Sequence, residues 1–176
     1  MKITCCIRIS LIGILCLCCI GIDQTVKAAV KEVDRRNASE KNSYFVVFCS
    51  RGRSPTGHAF VTQGIDDSSA QQCKANAFGF YPLNGKGVLG PVPGRIAEEA
   101  LSTPTTDRLI VRVNKAQYDN VAKIRKRWET QQYRVIERDC VAFISEVAKD
   151  LGLKLPDRDA ALLPQEFVRK MLEING

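Results

Sequence analysis

Apolar and polar positions change their spacing several times along the chain, and each change marks an expected element. Tyr44 to Cys49 is a run rich in Phe and Val, closed by a Gly- and Pro-bearing loop from Ser50 to Gly57, and it predicts a strand. A second run, His58 to Thr62, predicts a neighbouring strand. After a polar stretch from Gln63 to Gln72, Ala77 to Tyr81 predicts a third strand, closed by Pro82. The glycines and prolines from Gly85 to Gly94 predict irregular backbone, and Arg95 to Leu101 a short helix. Arg108 to Val113 alternates, with Leu109, Val111 and Val113 on one side, and predicts a fourth strand with one half-exposed face.

Beyond residue 113 the period becomes helical. Asn114 followed by Gln117 has capping-box spacing, and Tyr118, Val121, Ala122, Arg125 and Trp128 share a stripe behind it, predicting a helix from Lys115 to Glu129. Tyr133 to Ile136 reads as a short strand. Asp139 is placed to cap a second amphipathic helix whose Cys140, Phe143, Ile144, Val147, Ala148 and Leu151 share a face, with Gly152 as its stop. Pro164 starts a last helix through Phe167, Val168, Met171 and Leu172. The class is α+β, a sheet packed against helices in one domain over residues 43–176, with no internal repeat.

The first 28 residues read as a secretory signal. Lys2 and Arg8 precede an uncharged apolar run from Ile9 to Ile22, then polar residues and the small Ala28 and Ala29. The run is shorter than the roughly 20 residues a spanning helix needs, so the membrane is met only in transit. The expectation is an exported chain, periplasmic or secreted. Residues 29–42 are polar without apolar periodicity and read as a linker or disordered arm.

Charge narrows the partners. The 26 basic and 19 acidic side chains leave a net +7, but the basic residues are scattered without interleaved aromatics, so nucleic acid is not an expected partner. No cysteine or histidine spacing suits a structural metal, and no cofactor motif is present. The chain is expected to act as a monomer.

Of eight cysteines, Cys49, Cys73 and Cys140 lie beyond the leader. An odd number in an oxidising compartment leaves one thiol over, and the economical assignment is a Cys49–Cys73 bridge with Cys140 reduced.

Cys140 at a helix start lies near unpaired backbone amides and the positive end of the helix dipole, a setting that favours thiolate. The plain alternative is a small buried core residue. His58 is the one imidazole in the chain, at the start of an apolar strand, and it is the natural base for a thiol nucleophile. It too has a plain alternative, as an ordinary core or surface histidine.

Arg138-Asp139-Cys140-Val141-Ala142-Phe143-Ile144 resembles the nucleophile-helix motif of the NlpC/P60 papain-like superfamily. Gly57-His58-Ala59-Phe60-Val61 precedes it, and this His-before-Cys order resembles the circularly permuted branch that includes lecithin:retinol acyltransferase-like proteins. The resemblance implies a permuted papain-like fold and a Cys140–His58 pair acting through a thioester acyl-enzyme. It also implies an orienting polar group from the strand after the histidine, for which Gln72 is preferred over Asn76 and Gln71. Tyr133 resembles a tyrosine that closes the active site, and Asp139 stands at the oxyanion side, chiefly as helix cap. The implied activity is hydrolysis of amide or peptide bonds, with peptidoglycan peptides as candidate substrate. The alternatives are acyl transfer or lipid deacylation on the same fold, and a non-catalytic binding module. Ala77-Phe78-Gly79-Phe80-Tyr81-Pro82 stands out as a further motif without a role.

Overall fold

The computed structural model describes residues 29–36, 43–52, 57–67, 72–84, 87–102, 104–158 and 163–176. The leader at 1–28 and Gln71 lie outside the described residues.

Seven strands form one twisted arrangement in the order β1-β6-β2-β3-β4-β5-β7. The strands are β1 (Ala29–Asp34), β2 (Ser43–Arg51), β3 (His58–Asp67), β4 (Gln72–Pro82), β5 (Val92–Glu99), β6 (Asp107–Val113) and β7 (Gln132–Tyr133). The centre is antiparallel, Val47 lying opposite both Thr62 of β3 and Ile110 of β6. β1 alone runs parallel to its neighbour, from Ala29↔Asp107 to Asp34↔Arg112. Three helices follow, α1 (Lys115–Trp128), α2 (Cys140–Asp150) and α3 (Pro164–Asn175).

Strand alternation sorts the residues between two faces. Val46, Phe48, Ala59, Val61, Phe78, Phe80, Leu109 and Val111 join one buried cluster with Val121, Trp128, Phe143, Ile144, Val147, Phe167 and Met171 of the helices. The other face carries a small cluster of Cys49, Phe60 and Ala77. Each large side chain sealed between sheet and helices contributes roughly 1.5–3 kcal/mol of burial. Phe80, Trp128 and Phe143 lock the layers edge to face, with centroids 4.8 Å and 5.4 Å apart.

Both predicted helix starts are present. Asn114 Oδ1 accepts from Gln117 N at 2.8 Å while Gln117 Oε1 accepts from Asn114 N at 3.0 Å, the reciprocal box. Asp139 Oδ1 accepts from Val141 N and Ala142 N, each at 3.0 Å. Gly152 ends α2 at φ 68°, a left-handed value that a side chain disfavours.

Four expectations need correction, the smallest being the strand read from Tyr133 to Ile136, which is β7 at Gln132–Tyr133 followed by a turn with Ile136 at φ 75°. Residues 29–34 are strand β1 and not part of a linker, because the free edge of β6 supplies the backbone partners that the local pattern did not advertise; residues 37–42 of that expected arm lie outside the described residues. The expected helix at 95–101 is not formed: Arg95 to Glu99 belong to β5, which opens at Val92 inside the glycine- and proline-rich stretch and pairs along β4 from Pro82↔Gly94 to Ala77↔Glu99. The Cys49–Cys73 bridge is not formed. Cys49 lies opposite Phe60 and Cys73 opposite Asp66, six positions apart along β3, which is roughly 20 Å of strand and far beyond the Cα separation of a disulfide.

Among the described residues no helix is long and apolar enough to cross a membrane.

Candidate active site

Cys140 is the first residue of α2 and is 5% exposed. The backbone N–H groups of Ala59 and Val141 lie near enough to the sulfur to favour its anion, although the Val141 N–H itself donates to Asp139 Oδ1. Ala59 is within reach because the β3–β4 register stops at Val61↔Phe78, so the two strands part at this end of the ladder. Cys140 therefore touches β3 at the residue next to His58.

The helix start is held by one carboxylate. Besides capping Val141 and Ala142, Asp139 accepts through Oδ2 from Ile136 N at 3.0 Å and from an Arg158 guanidinium nitrogen at 2.6 Å. Tyr133 stands on the same side, its ring 5.5 Å from that of Phe80 and its hydroxyl close enough to feel the charge of Cys140. Burial, then its nearness to Cys140, which repels the phenolate only once ionised, and the charge of Asp139 push the Tyr133 phenol up, so it is a neutral wall beside the sulfur.

His58 opens β3 with its ring on the sheet face that carries Phe60, near enough to the head of α2 to feel the Asp139 charge. The imidazole stacks on Tyr81 with centroids 4.1 Å apart, and Nε2 lies 3.3 Å from Glu99 Oε1, somewhat off the line of a good hydrogen bond. Glu99 ends β5, its side chain 3% exposed, and pairs through Oε2 with Arg51 Nη1 at 2.8 Å. The Tyr81 hydroxyl donates to Glu99 and accepts from Arg51 Nη2 at 2.7 Å. Four side chains from four strands thus close one polar network around the ring.

Gly79 makes the contact possible. A Cβ built there would lie 2.3 Å from His58 Nε2 and 3.2 Å from Phe60 Cβ. β4 runs between the strands that carry His58 and Glu99, and only a residue without a side chain lets imidazole and carboxylate meet across it.

Protonation states follow from burial. Burial lowers the His58 pKa below its ordinary 6.5, and the Glu99 contact opposes this only in part, so the ring rests neutral near pH 7. Glu99 is lowered: burial works the other way, but the contacts from His58 and Tyr81 and the charge of Arg51 outweigh it. Burial, with the Glu99 contact, pushes the Tyr81 phenol up. Cys140 is pushed up to about 12, first by burial and then by the charge of Asp139, against the weaker pull of the Ala59 amide and Arg158. The expected thiolate at the helix start is therefore corrected: desolvation exceeds the help of the amides, and the resting sulfur is a neutral thiol.

Gln72 and Asn76, expected to orient the imidazole, do not stand beside it. Gln72 lies opposite Asp67 and Asn76 opposite Gln63, the former nine positions from His58 along β3, or roughly 30 Å. Glu99 occupies the place beside the ring. Its local sequence hid it, since a strand inside a glycine- and proline-rich segment gives no clear period; the signal available was the pair Glu98-Glu99 flanked by Ala97 and Ala100. Tyr81, from the motif read without a role, stacks on the ring and joins its polar network.

A shallow concavity of about 210 Å³ lies nearby, lined by Pro91, Gln132, Arg134, Glu137 and Arg138, without Cys140 or His58. Among the described residues no group of His, Cys, Asp and Glu side chains is placed to hold a metal.

No family model matches the chain. No curated protein matches it either. A solved structure, that of the type VI secretion system effector TseH, is similar at TM-score 0.51 and 11% identity, covering 75% of this chain and 89% of that one. The shared fold is mixed α+β, with a sheet backed by helices, and is consistent with a papain-like architecture.

Proposed function

We propose that the chain is an exported cysteine hydrolase of the NlpC/P60 type in its His-before-Cys arrangement, acting on amide or peptide bonds with Cys140 as nucleophile, His58 as base and Glu99 as the group that orients the base. The observation that carries this reading is the buried Glu99 carboxylate on His58 Nε2, one residue along β3 from the amide that meets Cys140 Sγ. Arg51 and Tyr81 offset the cost of burying this carboxylate, and its position beside the imidazole is what a purely structural pair would not require.

With both partners neutral at rest, the first step is general-base catalysis and not attack by a stored thiolate. Glu99 occupies Nε2, so the proton leaves Cys140 for Nδ1 as the sulfur bonds to the substrate carbonyl. The imidazolium then formed is stabilised by the Glu99 carboxylate and gives its proton to the leaving amine. The oxyanion donor in this reading is the Cys140 backbone N–H at the head of α2, since those of Val141 and Ala142 are taken by Asp139. Water, deprotonated by the same ring, releases the acyl group from the thioester. For this sequence the ring must turn its Nδ1 edge to the sulfur at the parted end of β3 and β4.

An exported enzyme of this kind meets peptidoglycan stem peptides, which are the proposed substrate; likeness to a secretion-system effector supports export. One observation favours a second reading, a non-catalytic domain: Cys140 is buried in the main core cluster while the His58 ring shares the strand face of Phe60. Incubating wild type and Cys140→Ala with peptidoglycan and a panel of small amides and esters, with products read by mass spectrometry, separates the two. Product from wild type alone supports the hydrolase, and no product from either on any member supports the non-catalytic domain. Equal product from both ends the nucleophile assignment.

A further inference from the structure

Arg158 reaches back from the segment after α2 to the start of that helix. It pairs with Asp139 Oδ2 at 2.6 Å, and its guanidinium lies 6.0 Å from the Phe167 ring of α3. The partner carboxylate has 8% side-chain exposure and already accepts from three backbone N–H groups, those of Val141, Ala142 and Ile136. Two of these amides cap the helix and the third, Ile136, holds the turn before it, so the cation is not needed for hydrogen-bond satisfaction alone. What it supplies is charge: without it an uncompensated anion is buried immediately before Cys140.

We propose that Arg158 is a positioning residue which, by neutralising the Asp139 carboxylate, sets how readily the Cys140 thiol gives up its proton. This rests on Cys140 being the nucleophile of the proposed function. The groups facing the sulfur from each packed element are the Asp139 carboxylate at the head of α2, Arg158 behind it, Tyr133 of β7, Tyr81 of β4, and the Ala59 and Val141 amides, with His58 adjoining on β3. Of these Asp139 disfavours the thiolate and Arg158 favours it. Tyr133 and Tyr81 are neutral, so the Asp139–Arg158 pair is the adjustable charge at the site.

The test is the pH dependence of iodoacetamide labelling at Cys140 in the full-length chain, read on the tryptic peptide 139–149, which holds no other cysteine. Arg158→Gln is expected to move the labelling midpoint up by about half a pH unit or more, slowing labelling at a fixed lower pH about threefold. Arg158→Lys keeps the charge and is expected to stay near wild type. Adding Asp139→Asn to Arg158→Gln removes the anion that Arg158 answers, and the midpoint is expected to return to wild type or below. A thermal melt alongside identifies folded variants, and Arg158→Lys, with the charge retained, stands in should Arg158→Gln not fold. A lowered melting temperature with unmoved midpoints would overturn the proposal and leave Arg158 a structural residue. So would a shift that Asp139→Asn fails to suppress, or an Arg158→Lys midpoint displaced as far as that expected for the glutamine. The readout is the thiol and not hydrolysis, so a chain that labels as expected but cleaves nothing counts against the proposed function and not against this inference.

Discussion

Glu99 Oε1 stands 3.3 Å from His58 Nε2 although β4 separates their strands, and Gly79 is the residue over which they meet. A methyl group at Gly79 would fall 2.3 Å from the ring nitrogen, so the imidazole has to move. Gly79→Ala is expected to cost about 1–3 kcal/mol of stability and to lower activity well beyond what the lost stability explains. A denaturant titration and a turnover assay on the same preparation check both halves.

Glu99→Gln keeps the shape of the side chain and removes its charge. The imidazolium formed during attack then loses its counter-charge, and turnover is expected to fall roughly 100-fold or more with little change in KM. Arg51 loses its buried partner as well, so a modest drop in melting temperature should accompany the loss. A variant as active as wild type would remove Glu99 from the mechanism.

The pH profile follows from the signs of the shifts. His58 must be neutral to accept a proton, and its pKa lies below 6.5, so the acid limb of activity is expected to have its midpoint below that value. Because Glu99 raises His58 against burial, Glu99→Gln should move the midpoint lower still. The same lowered pKa links to folding: the unfolded chain binds the proton more readily, so this contribution is whole above pH 6.5 and is lost as pH falls from there through the folded value.

At the alkaline end the cysteines act in the opposite direction. Burial pushes Cys49 up to about 11 and Cys140 up to about 12, against an ordinary 9.0. The folded thiols hold their protons where the unfolded ones release them, so stability is expected to decline as pH rises above about 9. Replacing Cys140 and Cys49 by Ala should flatten that decline relative to wild type, which unfolding curves between pH 8 and pH 10 would reveal.

With Cys49 and Cys73 at distant register positions, reductant is expected to leave the melting temperature of the folded chain unchanged. A fall of several degrees under reduction would mean that a disulfide contributes to its stability.

What could be read from the residues in advance was local. Asn114 with Gln117 and Asp139 before Cys140 carry their own capping chemistry, and α1 and α2 start where those residues put them. Elements that depend on a distant partner were not legible. β1 alternates Lys31 with exposed Val30 and Glu32 and is a strand only because β6 offers an edge. β5 holds Pro93 and Gly94, which argue locally against a strand until β4 pairs with it. Glu99 was hidden with β5, and Arg51 and Tyr81 acquire meaning only through it. His58 and Cys140 could be singled out by residue type, but nothing local showed that the ring would stack on Tyr81 or that the thiol would be desolvated.

The central claim is that His58 accepts the proton of Cys140, and it is tested most directly by timing iodoacetamide labelling of Cys140 near pH 7 in wild type and His58→Ala, with buried Cys49 as the internal standard. Although the resting Cys140 thiol holds its proton harder than Cys49, the account predicts that proton transfer to His58 during attack makes Cys140 label at least about tenfold faster than Cys49, and that His58→Ala abolishes most of that advantage. Labelling of Cys140 as slow as that of Cys49, and unchanged by His58→Ala, would contradict it.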